Sequence, residues 1–113
     1  MPGETHILVI TGNENSGIVR SLLKHNSIPV IRRSIQSAIE LMQHLKVAAV
    51  VIVRDHNNVD SLEFILNARD ISVDIPIYVP AEFHEMKDWE IISKFSNVLV
   101  YDDEKQLLKM QVS

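Results

Sequence analysis

The stretch Val47-Ala-Ala-Val-Val-Ile-Val-Arg-Asp55 decides the fold of this chain. It is a nearly continuous apolar run, rich in β-branched side chains and too short for a helix of ordinary length. Such a run predicts a strand buried on both faces, as in the middle of a parallel sheet. It stops abruptly at Arg54 and Asp55. Charge therefore falls at the strand's carboxyl end, the edge where open α/β sheets carry ligands or chemistry.

Strands and helices alternate outward from that run. Upstream, His6 to Thr11 is a first short apolar strand. A turn follows at Gly12-Asn13-Glu14-Asn15, then a helix over Ser16 to His25 with Ile18, Val19, Leu22 and Leu23 on one face. Pro29 to Arg33 predicts a second, more polar strand at a sheet edge, where Pro is tolerated. Ser37-Ala-Ile-Glu40 has the spacing of a capping box, and Ala38, Leu41, Met42 and Leu45 supply the apolar stripe of a helix packed on the sheet.

Downstream, Asp60-Ser-Leu-Glu63 is a second capping box, opening a helix through Asp70 with Leu62, Ile65 and Leu66 facing inward. Ile75 to Val79 is a fourth strand closed by Pro80, and Glu82 to Phe95 a fourth helix with Met86, Trp89, Ile92 and Phe95 on one side. Asn97 to Tyr101 is the fifth strand, and Asp103-Glu-Lys-Gln106 opens a short last helix. Helices between successive strands require a parallel sheet with right-handed crossovers. At this size the economical arrangement is a single α/β domain, a flavodoxin-like (βα)5 doubly wound sheet of strand order 2-1-3-4-5 in a three-layer sandwich.

Composition narrows the function. The 113 residues leave room for one domain with a real core, and the 46% hydrophobic and 23% charged fractions are those of an ordinary globular protein. No apolar run approaches the roughly 20 residues of a membrane span. The start, Met-Pro-Gly-Glu-Thr-His, lacks the layout of a secretory signal, so the expected location is the cytoplasm. Zero Cys excludes disulfides, thiolate metal sites and a Cys nucleophile. The net charge of −4 gives no overall attraction to phosphate backbones, so direct nucleic-acid binding is not expected.

The segment Asp55-His-Asn-Asn-Val-Asp-Ser-Leu-Glu63 resembles the region after the third strand of response-regulator receiver domains, the CheY-like family. There a phosphoacceptor Asp precedes a short loop and an Asp-Gly-Leu-Glu-like helix start, matched here by Asp60-Ser61-Leu62-Glu63. The order and lengths of the five units are also receiver-like, so the resemblance covers the whole chain. It implies a cation held by acidic residues after the first strand, an acceptor Asp, a hydroxyl after the fourth strand and a Lys after the fifth. Phosphoryl transfer to a carboxylate gathers negative charge, which a hard cation and an ammonium must offset.

Most of those groups are altered here. The first strand ends Thr11-Gly12-Asn13, with Glu14 too late for the acidic pair. The fourth ends Val79-Pro80-Ala81, with Pro in place of the hydroxyl, and the fifth ends Val100-Tyr101-Asp102, with Tyr in place of Lys. Asp55 remains as a phosphoacceptor candidate, and Glu14, Asp55 and Asn57 as a thin set of metal ligands. One carboxylate is a poor Mg²⁺ site. The expectation is therefore a degenerate receiver, a pseudo-receiver not switched by aspartyl phosphate, with Asp55 an exposed acid in the strand-end loop. No cofactor is expected, and Mg²⁺ enters only if Asp55 is a working acceptor.

Other signals are weaker. Thr11-Gly12-Asn13-Glu14 is similar to the phosphate loop of flavodoxins, which makes Gly12 and Asn13 anion-binding candidates, but no aromatic pair stands ready to sandwich a flavin. The five His residues show no metal-ligand spacing. Arg32, Arg33 and Arg54 form at most a small cationic rim. No triad or carboxylate dyad can be argued from spacing, so an enzyme is not expected.

The resemblance also implies an interface on the fourth helix, fifth strand and fifth helix, with Trp89, Tyr101, Lys87, Asp88, Asp102 and Asp103 as candidates. The partners expected are a protein or an attached effector domain, or a second copy in a homodimer. The short last helix fits an N-terminal regulatory domain ahead of an output module, as in a transcription activator. A working phosphoacceptor, a flavodoxin-like anion or flavin site, and a receiver-like wing domain of a larger enzyme such as a basic amino-acid decarboxylase are the competing readings.

Overall fold

The computed structural model describes residues 5–11, 27–53, 61–72, 74–85 and 87–101. Five strands form one parallel sheet: β1 Thr5–Ile10, β2 Ser27–Arg32, β3 Ala49–Ile52, β4 Ile77–Pro80 and β5 Val98–Tyr101. Their order is β2-β1-β3-β4-β5, the flavodoxin-like 2-1-3-4-5 arrangement. The described helices are α1 Ile35–Met42, α2 Ser61–Ile71 and α3 Trp89–Ile92, with a 3₁₀ turn at Ala81–Glu85. The stretches expected to form the first and last helices lie outside the described residues.

The run at the centre behaves as its composition requires. Side chains alternate across a strand, so an unbroken apolar run feeds two cores at once. Val50 and Ile52 join Leu8, Ile10, Phe64, Ile65, Ile77, Val79, Phe83 and Ile92 on one face of the sheet. Ala49, Val51 and Val53 join Ile7, Val9, Tyr78 and Tyr101 on the other. Each such Val or Ile, fully buried, contributes about 1.5–3 kcal/mol. β2 is the more polar edge strand, and its Pro29 pairs with Ile7 where a missing donor costs little.

Three local expectations are corrected. The cap of α1 is Ser34, not Ser37. Ser34 is extended, with φ −129° and ψ 155°, and its hydroxyl accepts from the Ser37 N–H at 3.1 Å. Starting a turn earlier brings Ile35 and Ile39 onto the core beside Ala38 and Met42.

On α2 the inward face carries Phe64, Ile65 and Ala68 with Leu62 packed against the same core as expected, while Leu66 is 46% exposed. Positions i and i+2 on a helix are about 200° apart around its axis. Phe64 and Leu66 therefore cannot share a face, and the larger ring takes the core.

The single helix expected over Glu82 to Phe95 is instead the 3₁₀ turn and the short α3. Phe83 and Ile92 are both buried in the same core. Nine residues of continuous helix would set them about 180° apart. The chain breaks between them so that both can point inward.

Candidate functional site

All five strands are parallel, so their carboxyl ends share one edge of the sheet. The order reverses between β1 and β3, which places a crevice outside those two ends. Among the described residues, Thr11 and Val53 follow directly on those two strand ends. Thr11 is fully buried and its N–H donates to Arg32 O at 3.0 Å. The Val53 N–H donates to Ile10 O at 3.0 Å. Gly12, Asn13, Glu14, Asp55 and Asn57, the anion, metal and phosphoacceptor candidates, lie outside the described residues, as does Arg54. Of the cationic rim, Arg32 turns its guanidinium onto Ile31 O at 2.8 Å, and Arg33 is exposed.

The far side of the same edge is better defined. Tyr101, at the end of β5, is only 1% exposed, and its hydroxyl donates to Ile52 O at 2.8 Å. Pro80, at the end of β4, pairs with Tyr101 and is buried. The burial of Tyr101 corrects its place among the interface candidates, because its ring points into the core and offers nothing at the surface. A phenol is also uncharged, and the one proton it can donate goes to a backbone carbonyl.

No family model and no curated protein matches this chain. Among solved structures it is similar to the crystal structure of a response regulator receiver protein from Sinorhizobium medicae WSM419. The two superpose with a TM-score of 0.68 at 16% identity, over 93% of this chain and 88% of the other. The chain has the receiver fold. In that fold the five strand ends described above form the edge at which the resemblance places receiver chemistry. Pro80 and Tyr101 stand at the ends of β4 and β5 on that edge.

The remaining interface candidates lie around α3 and β5. Lys87 is exposed, Asp88 is half-buried, and Trp89 is half-buried against the main core. Asp102 and Asp103 lie outside the described residues. Two apolar residues that the sequence pattern does not single out are exposed here: Ile91 at 48% and Leu99 at 37%. Ile91 sits on α3, which packs on the Leu8–Phe64 face of the sheet, and Leu99 on the edge strand β5, where alternation with Val98 and Val100 turns it to the opposite face. Their exposure could not be read from residue type, since apolar residues in predicted elements are assigned to the core by default.

Elsewhere, a cavity of about 420 Å³ lies at the opposite end of the sheet, between the ends of α1 and α2, lined by Met42, Leu45, Val47, Ile71 and Ile75 with Lys46. Among the described residues no group of His, Asp and Glu is placed to hold a metal ion. None of the described helices is long and apolar enough to cross a membrane.

Proposed function

We propose that this chain is a degenerate receiver, a signalling module that works through protein–protein contact and is not switched by aspartyl phosphorylation. The observation that carries this reading is Tyr101. A receiver needs a mobile ammonium at the end of its fifth strand to meet a phosphoryl group, and here a neutral, buried phenol is bonded to Ile52 O. Pro80 supports it from the neighbouring strand, since proline offers neither a hydroxyl nor an N–H.

The contact surface in this proposal is the β5 edge, with Ile91 and Leu99 as apolar anchors on its two faces and Lys87, Asp88, Glu90 and Lys94 as the polar surround on the α3 side. Its partner is an attached effector domain, another protein or a second copy. The setting is a cytoplasmic regulator, such as a transcription activator.

The test is addition of beryllofluoride with Mg²⁺, followed by amide NMR. The proposal expects no response around Asp55. Chemical-shift changes at Asp55 and along the carboxyl edge would replace it with a working phosphoacceptor.

A further inference from the structure

In a parallel ladder one residue bonds through its N–H and C=O to one neighbouring strand, and the next residue turns to the other. The Val50 N–H donates to Pro76 O at 2.9 Å, so Val50 and, two residues on, Ile52 face β4. The Ile77 N–H donates to Asn97 O at 2.8 Å, so Ile77 and Val79 face β5 while Tyr78 and residue 80 face β3. With Val50 opposite Ile77, the donor that would continue the ladder at Ile52 O is the amide of residue 80. Residue 80 is proline and has no N–H.

The pairing reflects this loss. β3 pairs with β4 only at Val50 and Val51, although β4 remains paired with β5 as far as Pro80 and Tyr101. A proline on a central strand leaves a gap in the ladder. Tyr101, opposite Pro80, reaches across it and places its hydroxyl hydrogen on Ile52 O at 2.8 Å.

We propose that Pro80 and Tyr101 are a coupled pair. The proline removes the backbone donor from Ile52, and the phenol supplies another from one strand further away, latching β5 to β3 across β4 at the carboxyl edge. A backbone amide at position 80 would tie only β4 to β3, leaving the end of β5 held by β4 alone. The latch binds three strand ends into one arrangement. It stands on the sheet register alone and does not depend on whether Asp55 accepts a phosphoryl group.

A double-mutant cycle in the full chain tests the pairing, read as the unfolding equilibrium in urea. Tyr101→Phe leaves a buried carbonyl without its donor and raises the unfolded-to-folded ratio about tenfold. Pro80→Ala returns the amide, and in that background Tyr101→Phe raises the ratio no more than about twofold. Equal fold-changes in the two backgrounds overturn the proposal. If Pro80→Ala does not fold, the unaltered chain decides alone. The Tyr101 hydroxyl proton then gives its own slowly exchanging NMR signal with a cross-peak to β3, and a hydroxyl in rapid exchange with water overturns the latch.

Discussion

Arg69 donates from Nη1 to Asn97 Oδ1 at 2.8 Å, tying the last turn of α2 to the loop that enters β5. The same amide donates from Nδ2 to Ile75 O at 2.8 Å, and the Asn97 carbonyl accepts from the Ile77 N–H. Arg69 also lies 4.8 Å above the centre of the Phe95 ring. The orientation of Asn97 is unambiguous, because guanidinium can only donate and a carbonyl can only accept. One side chain thus joins a helix, the approach to β4 and the approach to β5.

Replacing Asn97 should therefore lower stability by more than a typical surface change. Asn97→Ala strands the Ile75 carbonyl and removes the guanidinium's partner, at a cost of about 1–2 kcal/mol. Arg69→Lys should recover little of a loss at Arg69, since an ammonium lacks the planar fork that both stacks on Phe95 and reaches Asn97. Urea unfolding of Asn97→Ala, Arg69→Ala and Arg69→Lys checks both statements. An Asn97→Ala protein as stable as the parent would show that the clamp holds nothing.

The facing of α2 gives a second, sharper contrast. Phe64 is fully buried and Leu66 is 46% exposed. Phe64→Ala should cost about 3–5 kcal/mol by opening a cavity in the main core. Leu66→Ser should change stability by no more than about 0.5 kcal/mol. Comparable losses at the two positions would mean that the helix is rotated from the arrangement described.

That contrast also marks what the sequence discloses. The strand order follows from apolar runs separated by helical stretches, and the Val47–Val53 run announces its own two-sided burial. Helix phase is harder, because Leu62, Ile65 and Leu66 satisfy the same spacing rule as Phe64, Ile65 and Ala68. Choosing between them requires knowing how much room the sheet leaves for a ring. The break before α3 is likewise invisible until Phe83 and Ile92 are known to share a core. At the site, Pro80 and Tyr101 are visible as departures from receiver chemistry. Their relation is not, because the bond runs from β5 to β3 and depends on ladder parity. For Gly12, Asn13, Glu14, Asp55 and Asn57 the chemistry expected from the sequence lies outside the described residues.

The start of α1 rests on two hydroxyls. Ser34 Oγ accepts from the Ser37 N–H, and the Ser37 hydroxyl donates back to Ser34 O, each at 3.1 Å. Only the first satisfies a backbone donor that the helix leaves open. Ser34→Ala should then cost about 1 kcal/mol, and Ser37→Ala distinctly less. A thermal unfolding series distinguishes them, and the reverse ranking would restore Ser37 as the cap.

The burial of Tyr78 predicts a loss of stability at alkaline pH. Burial of its phenol in the second core raises its pKa above the ordinary 10.0, because the tyrosinate would lose its hydration. The neutral form favours the folded state, so its contribution is complete below the unfolded value and is lost as pH rises through the folded one. Urea midpoints should fall once pH passes 10.0. Tyr78→Phe should flatten that part of the curve, and an undiminished alkaline slope in the variant would assign the loss to another group.

The β5 edge offers the test that separates a contact surface from incidental exposure. Ile91 and Leu99 are exposed at 48% and 37%, and Leu66 is equally exposed on a different element, α2. Scattered surface apolar residues are ordinary, so exposure alone does not distinguish them. If the edge is the contact surface, Ile91→Glu and Leu99→Glu should each weaken self-association of the isolated chain in sedimentation velocity, while Leu66→Glu leaves it unchanged. All three should unfold within about 1 kcal/mol of the parent, because each side chain is at least 37% exposed. Equal effects from the three would reduce association to general stickiness. A parent chain that stays monomeric at every concentration would exclude a second copy as the occupant of this edge.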